Sequence, residues 1–129
     1  MKGFDRENSS TLGFVTLCRA MKSITDEEFK EFFYLLIKNS DLDKLPNFIW
    51  DLIDLKEPDM GDIYNTIGFV PSSGLSDSEI NAIYGITIKR FGTIFDMPVT
   101  KEEAIILLDK HNEILNMFKK TFPFIIIDF

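Results

Sequence analysis

Three short stretches dictate where helices begin. Thr25-Asp26-Glu27-Glu28, Ser76-Asp77-Ser78-Glu79 and Thr100-Lys101-Glu102-Glu103 each set a hydroxyl three residues ahead of a glutamate. In that arrangement the hydroxyl accepts from a first-turn N–H, and the glutamate reaches back to the N–H of the capping residue. Behind each stretch the apolar residues recur at helical spacing. Phe29, Phe32, Phe33, Leu36 and Ile37 follow the first, and Asn39-Ser40 ends that run. Ile80, Ile83, Tyr84, Thr87, Ile88 and Phe91 follow the second, closed by Lys89-Arg90 and Gly92. Ala104, Leu107, Leu108, His111, Ile114, Leu115 and Phe118 follow the third. There Lys119-Lys120 suits the negative end of the helix dipole, and Pro123 forbids continuation. The third pattern predicts the longest helix of the chain.

Three weaker patterns add to these. Phe14, Leu17, Cys18 and Met21 form a stripe in a helix from about Asn8 to Lys22, with Gly13 weakening its start. Leu45, Phe48, Ile49, Leu52 and Ile53 form one from Leu45 to about Leu55, with Pro46 tolerated in the first turn. Its opposite side carries Asn47, Trp50, Asp51 and Asp54. Met60, Ile63, Tyr64 and Ile67 form a short helix from about Pro58, with Gly68 as a C-terminal cap. Phe69 to Leu75 reads as a loop from its Pro, Ser and Gly content. Two segments stay open between helix and extended chain. Ile86-Thr87-Ile88 is β-branched, and the tail Phe124-Ile125-Ile126-Ile127-Asp128-Phe129 is nearly all apolar. Left exposed, that tail would template aggregation, so it is expected to be buried as a strand or a strap. The fold class is mostly α: a single helical domain over residues 1–129, a compact bundle of five or six helices, with at most one short strand or an extended C-terminal strap.

A chain of 129 residues buries enough surface to need no disulfide or metal. It has one cysteine, Cys18, which excludes an internal disulfide and reads as a small buried hydrophobe. The thirteen phenylalanines read as core. No run of about 18 apolar residues exists to span a bilayer, and Leu12 to Cys18 is too short for a signal sequence, so the cytoplasm is the expected location.

Charge is where the sequence departs from the ordinary. Residues 41 to 79 hold nine acids (Asp41, Asp43, Asp51, Asp54, Glu57, Asp59, Asp62, Asp77 and Glu79) against Lys44 and Lys56. That excess equals the net charge of the whole chain, −7. A local excess makes a directional field that repels phosphate and anionic headgroups and attracts cations. Nucleic acid and membranes are therefore not expected partners, whereas a basic protein is. The competing reading is a solvated face that serves solubility.

Catalytic patterns are missing. His111 is the sole histidine and falls on an apolar stripe, where a hydrogen-bonded core residue is the ordinary reading. An enzyme built on it would need a polar cleft around it. Asp41-Leu42-Asp43 begins like a calcium loop, but Pro46 stands where the glycine is required and Leu52 where the bidentate glutamate is required. Asp51 with Asp54, and Asp59 with Asp62, are carboxylate pairs on the polar sides of short helices and read as solvated charge. No cofactor, metal site or catalytic residue is expected. Trp50, the one tryptophan, lies among acids as an interface anchor does, although packing beneath a neighbouring loop would also account for it. The candidate partner-binding residues are Asp41, Asp43, Trp50, Asp51, Asp54, Asp59, Asp62 and Tyr64.

Pro46-Asn47-Phe48-Ile49-Trp50-Asp51-Leu52-Ile53-Asp54, Ile67-Gly68-Phe69-Val70-Pro71 and Ala82-Ile83-Tyr84-Gly85-Ile86 together resemble small bacterial immunity proteins of contact-dependent growth inhibition systems. The resemblance covers residues 46 to 92, under half of the chain. It implies a cytoplasmic inhibitor that binds the toxin domain of a cognate delivered effector, often a nuclease with a basic cleft. A non-catalytic adaptor or regulatory module is the alternative.

Overall fold

The computed structural model describes residues 1–92 and 96–129. Among them are seven α-helices and no strand: α1 (Ser10–Ala20), α2 (Asp26–Asn39), α3 (Phe48–Asp54), α4 (Met60–Ile67), α5 (Asp77–Phe91), α6 (Lys101–Lys110) and α7 (Asn112–Thr121). A 3-10 turn, Leu42–Lys44, joins α2 to the segment before α3. The class is the mostly helical one the patterns predict, with more helices than the five or six expected.

Two of the three capping stretches form in full and the third in its forward half only. Thr25 Oγ1 accepts from the Glu28 N–H at 3.1 Å, and Glu28 Oε1 accepts from the Thr25 N–H at 2.8 Å. Ser76 and Glu79 repeat the exchange at 3.2 and 3.0 Å. Hydrogen bonding to the Glu79 carboxyl from the Ser76 backbone N–H, and then from the Ser76 side chain, holds it below its ordinary value, helped by the nearby His111. Thr100 makes the forward bond, from the Glu103 N–H, at 3.1 Å.

The chain divides into two units, residues 1–16 with 25–74 and residues 17–24 with 75–129. The first contains the opening of α1, all of α2, α3 and α4, and the loop that follows. Its buried residues include Phe4, Leu12, Phe29, Phe33, Ile49, Leu52 and Ile63. Phe29 and Phe33 meet edge-on at 5.0 Å, and Phe32 and Phe33 at 5.1 Å, the geometry that ring quadrupoles favour. α3 packs against both α2 and α4. Gly13, a weak helix former near the start of α1, has a packing reason to be there. It is where the Ser72-Ser73 backbone crosses the helix so closely that a Cβ would collide with Ser73 N and Ser72 C. Ser9 fastens the same crossing: its hydroxyl accepts from the Ser72 N–H at 2.9 Å.

In the second unit α5 packs against α6 and α7. Gly85 makes the closest approach. A Cβ there would stand 2.6 Å from both the Ala104 carbonyl oxygen and Leu108 Cβ. Residues 86–91, which sequence alone leaves open, are helical. Buried Thr87 donates to the Met21 carbonyl at 2.9 Å, and Arg90 donates to the Ser23 carbonyl at 2.7 Å, so the turn after α1 is pinned to α5. That turn is a Schellman ending. The Ser23 N–H bonds the Cys18 carbonyl and the Lys22 N–H bonds that of Arg19, with Lys22 left-handed at φ 64°.

Two expectations fail in this unit. The long last helix breaks into α6 and α7 at His111, whose φ −113° and ψ 58° are not helical. The tail is not buried throughout. Ile125 is buried, but Ile126 is 95 % exposed. The chain turns just before it, with the Ile125 N–H bonding the Phe122 carbonyl at 3.0 Å, and Ile126 projects to solvent beyond that turn. The phenylalanines are also less uniform than a pure core. Seven of them (Phe4, Phe14, Phe29, Phe32, Phe33, Phe118 and Phe122) are buried and Phe91 is exposed, while Phe95 lies outside the described residues.

Two substitutions test this packing by chemical denaturation. Gly85→Ala should lower stability by about 2 kcal/mol, because overpacking against the α6 backbone outweighs alanine's better helix propensity. Lys22→Gly should raise it by roughly 0.5–1 kcal/mol, because glycine enters the left-handed region without a Cβ penalty.

Candidate functional site

The candidate partner-binding residues all fall within the first unit, on three successive elements. α3 explains the most. Ile49 and Leu52 are buried. At about 100° per residue, burying those two turns Asn47, Trp50, Asp51 and Asp54 to the opposite side. All four are exposed, Trp50 by 38 %. α3 thus shows solvent an indole beside two carboxylates, as its periodicity predicts. The helix is shorter than expected: it starts at Phe48, not Leu45, and Pro46 precedes it.

Upstream, Asp41 and Asp43 are exposed at the 3-10 turn, and neither is tied down as a cap there. Leu42 between them is 57 % exposed, an apolar residue within the acidic segment that charge counting overlooks. Glu57, after α3, is also exposed and has a left-handed backbone with φ 45°.

Asp59 and Asp62 have a local task. Asp59 Oδ1 accepts from the Asp62 N–H at 2.7 Å, and Asp62 Oδ2 accepts from the Asp59 N–H at 3.1 Å. They are a capping box in which aspartate fills both positions, not merely solvated charge. The signal was present in the sequence: D-x-x-D ahead of the Met60 and Ile63 stripe has the same spacing as the three hydroxyl boxes. Both remain exposed. Tyr64 is not brought together with them. It is half-buried, and two residues beyond Asp62 it lies about 200° round the helix, beside the stripe of Ile63 and Ile67.

Among the described residues the ion pairs join Asp5 to the N-terminal amine, Asp26 to Lys30 and His111 to Glu113. None of these involves Asp41, Asp43, Asp51, Asp54, Glu57, Asp59 or Asp62, so among the described residues no such pair neutralises them. Lys44 and Lys56 are exposed as well. Asp77 and Glu79, the remaining acids of the segment, belong to the second unit and open α5.

The residues that suggest other chemistry lie elsewhere. His111 is not in the core. Its side chain is 24 % exposed at the break between α6 and α7, with Nδ1 3.1 Å from Glu113 Oε1. A polar cleft of about 280 Å³ is lined by residues 6–10 and 72–74 of the first unit and contains no histidine. Its Arg6 is engaged, donating to the Gly68 carbonyl at 3.2 Å with its guanidinium over the Phe69 ring. No group of three or more metal-ligating side chains comes together among the described residues. No helix among them is long and apolar enough to cross a membrane. Cys18 is fully buried, and burial pushes its thiol up to about 12.

Cys18 should therefore resist a disulfide reagent at pH 8 in the folded protein and react at once in denaturant. The unfolded thiol ionises near its ordinary 9.0, while the folded one keeps its proton to about 12. Its contribution to stability is thus complete below pH 9 and lost as pH rises toward 12. Asp59→Ala should cost about 1 kcal/mol in thermal or chemical denaturation, through the lost α4 cap.

Comparison with known proteins finds no family model, no curated protein and no solved structure that matches this chain.

Proposed function

We propose that the chain is a non-catalytic binding protein that takes a basic protein partner on the acidic side of its first unit, and that this partner is a toxin domain which it neutralises. One observation carries the reading: the outer face of α3 sets Trp50 beside Asp54 and Asp51, with no basic side chain paired to either carboxylate among the described residues. The division of labour follows from the chemistry of such a face. Carboxylates left without internal partners steer a cationic surface at long range, where opposite charge raises the encounter rate. A half-exposed indole then supplies apolar area that gains by leaving water, as aromatic anchors do at protein interfaces. Asp41, Asp43, Asp59 and Asp62 extend the same field along the chain, whereas Tyr64 turns away from Asp62 on α4 and is no part of it. The resemblance of residues 46–92 to contact-dependent growth inhibition immunity proteins supports a toxin as the basic partner, and a nuclease is the natural kind. Its cleft is shaped for phosphate, and closely set carboxylates offer it a comparable array of negative charge.

Affinity capture from the source cells, with mass spectrometry, tests this. The wild-type chain and a Trp50→Ala, Asp51→Lys, Asp54→Lys variant serve as paired baits. The wild type should retain a basic protein with toxin activity that the variant loses. Capture of no basic protein, or equal retention by both baits, would overturn the reading. With the partner purified, Asp51→Lys with Asp54→Lys should cut the association rate about tenfold at low ionic strength, with the deficit shrinking as salt is added. Trp50→Ala should act on dissociation and weaken binding by about 30-fold, as loss of a 2 kcal/mol anchor does.

A further inference from the structure

We draw no further inference here: the strongest candidate, the C-terminal strap of residues 122–129, in which Ile126 is 95 % exposed and the backbone of residues 126–129 makes no hydrogen bond among the described residues, carries nothing because nothing in the structure shows what covers it.

Discussion

A helix of seven residues does not hold itself together in water, because nucleating its first turn costs more than so few bonds return. α3 is such a helix, and it exists because Ile49 and Leu52 are buried while α2 and α4 pack against it. That burial also fixes its rotation. Once two residues three apart face inward, Trp50, Asp51 and Asp54 have nowhere to point but solvent. The proposed binding face is therefore a by-product of core packing. Its residues need no hydrogen bonds of their own to stay in place, which leaves their polar atoms available.

The starts of the helices were legible because a start is a local event. A hydroxyl and a glutamate three residues apart can satisfy each other's backbone whatever the rest of the chain does, and Thr25, Ser76 and Thr100 all do so at least in part. The orientation of α3 was legible for a related reason: one apolar stripe allows one rotation. The break at His111 was not legible. Leu107, Leu108, Ile114 and Leu115 keep their spacing across it, and neither glycine nor proline marks it. Apolar periodicity alone cannot tell one long helix from two that share a core. The tail misled for the opposite reason. Its uniform apolarity implied burial throughout, yet the turn that buries Ile125 leaves Ile126 in solvent.

The acids show how charge counting and structure divide the work. Nine carboxylates between residues 41 and 79 look like one population in the sequence. Asp59, Asp62 and Glu79 prove to hold helix starts together, and Asp77 lies in the first turn of α5. Asp41, Asp43, Asp51, Asp54 and Glu57 have no such employment. Under the proposed function these five are the carboxylates left to face a partner, and Asp51 and Asp54 lie nearest Trp50 in the chain.

The lone tryptophan gives that face its own optical label. Trp50 is 38 % exposed, so its emission is set partly by water relaxing around the excited ring. No second indole elsewhere in the chain dilutes the signal. A molecule that settles on α3 and excludes that water would shift the emission toward the blue, whereas one that settles far from it would leave the spectrum where it was. The unmodified chain thus reports on this single helix, free of any attached dye.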